Sequence, residues 1–152
     1  MKNLILIRHG QSEWNQQKRF TGWVDVGLTD KGRAEAKKAG ELIKEKKIKL
    51  DSFYSSYQKR ANDTLKIVMN ELNEDENLIT KKWQLNERHY GELTGLNKED
   101  MKKKYGEEKI HQFRRSWDVK PGALDKKSPY HPFFSKTMNL RTENHDGCGA
   151  CG

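Results

Sequence analysis

Leu4-Ile5-Leu6-Ile7 is an unbroken apolar run of β-favouring residues, ended by Arg8-His9-Gly10. Such a run predicts a strand buried on both faces, as in a parallel sheet. From Thr29 or Asp30 to about Lys46 the spacing turns helical, with Ala36, Ala39, Leu42 and Ile43 on one stripe and either Thr29 or Asp30 as cap. Asp51 to Ser56 reads as a short strand. Ala61, Leu65, Val68 and Leu72 then recur at i, i+4, i+7 and i+11, the mark of an amphipathic helix. A polar turn from Asn73 to Asn77 leads to a third strand around Leu78 to Trp83. Strand, helix, strand, helix, strand predicts right-handed crossovers and an α/β domain. Further on, Asn97 and Asp100 resemble a capping pair, and Ile110, Phe113 and Trp117 mark the inner face of another helix. Past Pro121 the periodicity fades, and the chain ends in a polar, Gly-rich stretch with no internal repeat.

At 152 residues the chain is long enough for one domain with its own core. Yet 33% of residues are apolar against 34% charged, which leaves incomplete folding open. Thirty basic and twenty-two acidic residues give a net charge of +8, which favours an anionic partner. That partner is a nucleic acid, a membrane surface or a small phosphorylated molecule. The basic residues are scattered, and no nucleic-acid-binding motif is present, so charge alone supports the first option weakly. No apolar run approaches the roughly 18 residues of a membrane span, and the first apolar stretch is too short for a signal peptide. A cytoplasmic protein without membrane contact is the expectation. Two cysteines argue against a disulfide framework. His145, Cys148 and Cys151 supply three soft ligands where a structural zinc site wants four, so no metal is expected and the segment reads as an incidental tail.

The strongest chemical signal is Arg8-His9-Gly10-Gln11-Ser12-Glu13-Trp14-Asn15, directly after the first apolar run. Ligands of open α/β sheets gather at the carboxyl ends of strands. A neutral imidazole there is a competent nucleophile near neutral pH, and an adjacent guanidinium offsets charge on phosphoryl oxygens. Gly10 permits close backbone approach, and Ser12 and Asn15 offer further hydrogen bonds. The bland alternative is a histidine exposed by chance at a strand end.

Arg8-His9-Gly10 after such a run resembles the histidine phosphatase superfamily. The string from Arg19 to Val26, then Leu85-Asn-Glu-Arg-His-Tyr-Gly-Glu-Leu-Thr-Gly-Leu-Asn-Lys98, then Phe113-Arg-Arg-Ser-Trp117 are similar to its phosphoglycerate mutase branch, which uses 2,3-bisphosphoglycerate. The likeness runs from about Leu4 to Ser135. It implies a three-layer α/β/α fold with a mostly parallel sheet, incomplete here. It also implies interconversion of 3- and 2-phosphoglycerate through a phosphohistidine, in glycolysis and gluconeogenesis, with 2,3-bisphosphoglycerate as priming donor and no metal. His9 would take the phosphoryl group, Arg8 and Arg60 would neutralise it, and Glu87 would move the proton. Gly10, Ser12, Asn15, Thr21, Gly22, Arg88, Tyr90, Lys98, Arg114 and Arg115 would hold the small phosphorylated three-carbon acids. Paired arginines suit that task because their planar forks match phosphate and carboxylate. Serine at position 12 favours the mutase over relatives that make bisphosphoglycerate, which tend to have glycine there. His89 reads as a supporting residue.

The resemblance stops after Ser135. The family carries a second His-Gly at the end of a later strand, and His145 follows no apolar run, so it does not take that role. Residues 1–135 are therefore expected to be the N-terminal part of a mutase domain, and 136–152 an unrelated tail, as in a truncated or altered product. Two alternatives to full turnover follow: a phosphate-binding fragment without catalysis, or a residual phosphatase. The family implies a homo-oligomer. For this chain an unpartnered Leu4–Ile7 edge predicts low stability, self-association or aggregation.

Overall fold

The computed structural model describes residues 3–131. They fall into two compact units. The first runs up to Glu13 and resumes over Val26–Leu85; the second takes Trp14–Asp25 and the described chain from Asn86 onward. No described helix is long and apolar enough to cross a membrane.

In the first unit, α2 (Asp30–Glu45) begins at Thr29, whose side chain accepts from the Gly32 amide at 3.1 Å. A single-turn helix α1 (Glu13–Gln16) precedes it in the chain. β1 (Phe53–Ser55) follows α2, then α3 (Lys59–Leu72), then β2 (Ile79–Lys81). β1 and β2 pair in parallel with Phe53 opposite Ile79 and Ser55 opposite Lys81, so α3 is the crossover that a parallel pair requires. Asn73, at φ 57°, ends α3 in the left-handed conformation that asparagine tolerates well. α2 packs on α3 where Gly40 meets Val68 and Glu71; a Cβ on Gly40 would lie 2.8 Å from the Glu71 Cβ. Small residues along α2 therefore set how close the two helices come.

The inner stripe of α2 is Gly32, Ala36, Gly40 and Ile43. Leu42, expected on it, is exposed: the close approach at Gly40 rotates the contact face away from that position. On α3 the expected apolar stripe is only partly the buried one. Val68 is buried, but Arg60, Asn62 and Thr64 turn inward with it.

The expected first strand is absent. Leu4 and Leu6 are 82% and 85% exposed, and no described residue pairs with the run in a ladder. An apolar pattern favours extended backbone, but a strand also needs a neighbouring chain for its amides and carbonyls. Here Leu4–Ile7 instead borders a cleft of about 1150 Å³ whose other walls include Phe53, Leu65 and Val68.

The second unit has its own core of Phe20, Leu93, Ile110 and Phe113, with Tyr90, Met101, Tyr105 and Val119 packed around it. Asn97 caps α4 (Lys98–Tyr105) by accepting from the Glu99 amide at 2.9 Å. Gly106, at φ 84°, makes the corner into α5 (Glu107–Arg115). Ile110 and Phe113 face inward from α5 as the spacing predicts. Trp117 does not, being 90% exposed, because the helix ends at Arg115 and the periodicity ends with it. The chain near Phe20 is fixed by backbone bonds from its amide to Leu96 and from the Gly95 amide to its carbonyl.

Candidate functional site

The loop that bears His9 is built without side-chain volume. A Cβ on Gly10 would fall 2.1 Å from the carbonyl oxygen of Gly32, in the first turn of α2. With hydrogen at both positions the backbones touch directly. The Gly10 amide donates to Thr64 Oγ1 of α3 at 3.1 Å, and the Gln11 amide donates to Glu35 Oε2 of α2 at 2.8 Å. Thr29 adds two donations to the Gln11 carbonyl, from its amide at 3.0 Å and its hydroxyl at 3.2 Å.

This loop presents the imidazole in one protonation pattern. His9 Nδ1 lies 2.7 Å from the Gly10 carbonyl oxygen, and Arg60 Nε lies 3.3 Å from His9 Nε2. A carbonyl can only accept and a guanidinium can only donate, so the proton belongs on Nδ1 and the lone pair on Nε2. A lone pair on Nε2, beside a fixed positive charge, is what attack on phosphorus requires. Arg60 is 0% exposed and enters from the first turn of α3. Of the two guanidiniums expected at His9, Arg60 stands on the ring, and Arg8 is exposed. Ser12 is wholly buried, its backbone bridged to Leu28.

The second unit gathers most of the remaining candidates. Thr21 is buried, and Gly22 has φ 56°; a Cβ there would meet the Arg88 carbonyl at 3.1 Å and the Tyr90 ring at 3.3 Å. Trp23 Nε1 donates to the Glu87 carbonyl at 2.6 Å, and its indole meets the His89 ring edge-on at 5.3 Å. His89 Nδ1 accepts from the Gly91 amide at 2.9 Å, which gives that histidine a supporting place. Arg88 spreads its fork over the carbonyls of Phe113, at 2.9 Å, and Ser116. Those oxygens lie at the electron-rich end of α5, so Arg88 caps the segment that bears Arg114 and Arg115. Lys98, opening α4, holds its ammonium 5.9 Å from the Phe20 ring. Asn15 sits in α1, half-buried.

Burial, then the negative charge of Glu87, push the Tyr90 phenol above its ordinary value of 10.0, while Arg114, Arg88 and Arg115 pull it partly back. Tyr90 therefore remains a hydrogen-bond donor throughout the neutral range. Because its folded pKa exceeds the unfolded one, its contribution to stability is complete below that reference and lost as pH rises through the folded value. Ultraviolet titration of the protein minus that of Tyr90→Phe should show a phenolate transition above the usual tyrosine range, and the variant should lose less stability in alkali. A difference spectrum centred at or below the reference would contradict the burial of this phenol.

Sequence reasoning missed Thr64, Glu35 and Trp23. Thr64 stands four residues after Arg60 on the same helix face, a signal that a search for apolar spacing does not register.

A profile of the Histidine phosphatase superfamily (branch 1) matches residues 4–131. The chain belongs to this superfamily. Among relatives, it is 64% identical over 132 residues to a 2,3-bisphosphoglycerate-dependent phosphoglycerate mutase of Pelagibacter ubique, covering 87% of this chain and 55% of the relative. It is 51% identical over 134 residues to the protein of the same name from Bacteroides fragilis, covering 88% and 54%. The chain thus spans about half the length of the curated relatives it matches. Among solved structures, Bacillus stearothermophilus YhfR superposes with a TM-score of 0.59 at 29% identity, over 70% of this chain and 50% of that one. Phosphoserine phosphatase from Entamoeba histolytica gives 0.57 at 24%, over 76% and 53%. The α/β class of the histidine phosphatases agrees with the parallel pair and its helical crossover.

Among the described residues no group of three His, Cys, Asp or Glu side chains is placed to hold a metal ion. His145, Cys148 and Cys151, with the rest of the expected tail at 136–152, lie outside the described residues.

Proposed function

We propose that this chain serves the interconversion of 3-phosphoglycerate and 2-phosphoglycerate through a phosphohistidine at His9, in the cytoplasm, as a step of glycolysis and gluconeogenesis. The observation that carries the reading is the His9 ring, with its proton directed to Gly10 and its Nε2 lone pair held against Arg60. In the step it serves, the Nε2 lone pair forms a bond to phosphorus as the bond from phosphorus to the donor oxygen breaks. Glu87 supplies the departing oxygen with a proton and recovers one from the hydroxyl that takes the phosphoryl group back. Arg60 and Arg8 offset the charge in transit, with Ser12 and Asn15 as further donors. In the second unit, Thr21, Gly22, Arg88, Tyr90, Lys98, Arg114 and Arg115 form the set assigned to the phosphate and carboxylate of three-carbon acids. The donor chemistry fits a polyanion: a glycine that lets the loop pack closely against Tyr90, a phenol kept protonated, and guanidiniums close enough to act on it. When bound, 2,3-bisphosphoglycerate supplies the phosphoryl group that primes His9. The names of the Pelagibacter and Bacteroides relatives support this choice of donor.

The family favours a second reading, because the matching profile is that of the histidine phosphatases. With these residues His9 can also accept phosphate without completing the transfer, or release it to water as a phosphatase. A coupled assay with 3-phosphoglycerate, run with and without 2,3-bisphosphoglycerate, separates these outcomes. Conversion that depends on the bisphosphate supports the mutase. Release of inorganic phosphate without 2-phosphoglycerate would replace it with the phosphatase, and neither product would leave binding alone.

A further inference from the structure

Thr64 has no part in the roles given above, yet it is buried at 3% exposure and its hydroxyl is used twice. Its Oγ1 accepts from the Gly10 amide at 3.1 Å and donates to the Arg60 carbonyl at 2.8 Å. The second bond is an ordinary helical back-bond to residue i−4. The first crosses 54 positions of sequence and reaches the peptide that joins His9 to Gly10. One oxygen thus ties the His9 loop to the turn of α3 that bears Arg60. The peptide on the other side of Gly10 is held independently, by Gln11 donating to Glu35. Between these two anchors lies the Gly10 carbonyl, the acceptor of the His9 Nδ1 proton.

We propose that Thr64 is a positioning residue for His9: its hydroxyl sets the height of the loop above α3 at which Nε2 meets Arg60 Nε. The consequence for turnover rests on His9 being the phosphoryl acceptor; the consequence for the ring does not. Thr64 touches no reacting atom and acts through the Gly10 peptide. Valine at this position keeps the shape but can neither accept from Gly10 nor donate to Arg60. Serine keeps the hydroxyl and gives up a methyl group.

Two readouts test this on the full chain. Nitrogen chemical shifts of the His9 ring, identified by their absence in His9→Ala, report which nitrogen holds the proton. The unaltered protein and Thr64→Ser should show a protonated Nδ1, and Thr64→Val a mixture of tautomers. The rate at which 2,3-bisphosphoglycerate deposits acid-labile phosphate should fall about tenfold in Thr64→Val, the effect of losing one well-placed hydrogen bond, and return in Thr64→Ser. Val and unaltered proteins with the same ring shifts would overturn the proposal, as would a serine variant no better than the valine one. If the valine variant does not fold, Thr64→Cys, with a weakly bonding thiol of similar size, makes the same comparison. If the unaltered protein takes no label, the functional reading fails, and the ring shifts alone decide the role of Thr64.

Discussion

Alanine at position 10 should lower the stability of the protein by roughly 3 kcal/mol or more, the upper range for forcing volume into a packed interior. The added methyl would stand 2.1 Å from the Gly32 carbonyl oxygen and 2.9 Å from its Cα, so the obstacle is backbone and no side chain can swing aside. Alanine at position 32 meets a similar obstacle, since a Cβ on Gly32 would fall 2.1 Å from the Gln11 carbonyl oxygen. To relieve the overlap the loop must leave α2, and the bond from Gly10 to Thr64 goes with it. Urea unfolding should therefore show a large drop in midpoint for Gly10→Ala. Gly106→Ala is the comparison: that glycine has nothing within 4 Å, so only its backbone, at φ 84° and ψ 152°, resists the methyl, and the drop should be the smaller of the two, about 1–2 kcal/mol. Equal midpoints for Gly10→Ala and the unaltered chain would mean that the loop does not rest on the first turn of α2.

Phe20→Ala should be as damaging in the second unit. The ring is fully buried, packs with Leu93, Ile110 and Phe113, and lies 5.2 Å from the Tyr90 ring. Removing a buried phenylalanine costs about 3–5 kcal/mol through lost transfer energy and the cavity left behind. Its neighbours include Tyr90 and the helix that bears Arg114, so the loss should also free the Tyr90 phenol to ionise nearer its ordinary value. Phe20→Leu should recover most of the stability. Hydrogen exchange checks the result: amides of α4 and α5 should lose protection in Phe20→Ala. Unchanged exchange there would show that this cluster is not what holds the second unit together.

The helices were legible because their cues are local. Thr29 and Asn97 announce two helix starts, and the spacing of Ile110 and Phe113 announces an inner face. Leu4–Ile7 misled because strand pairing is not a local property: the run specifies extended backbone and says nothing of a partner. Leu42 and Trp117 failed for related reasons, one displaced by the close approach at Gly40, the other stranded past the end of its helix. The His9 loop was legible from its own residues, but the partners proposed for it were legible only by likeness. Nothing in the spacing of His9 and Arg60, 51 residues apart, says that they meet. Thr64 was invisible because α3 turns polar residues inward, where an apolar pattern does not look.

If His9 attacks phosphorus, incubating the protein with 2,3-bisphosphoglycerate carrying a labelled phosphoryl group should leave protein-bound label that is stable in alkali and released by acid. The unaltered chain should take up such label at His9, and His9→Ala should take up none. Equal labelling of the two proteins, or label resistant to acid, would mean that His9 is not the phosphoryl acceptor.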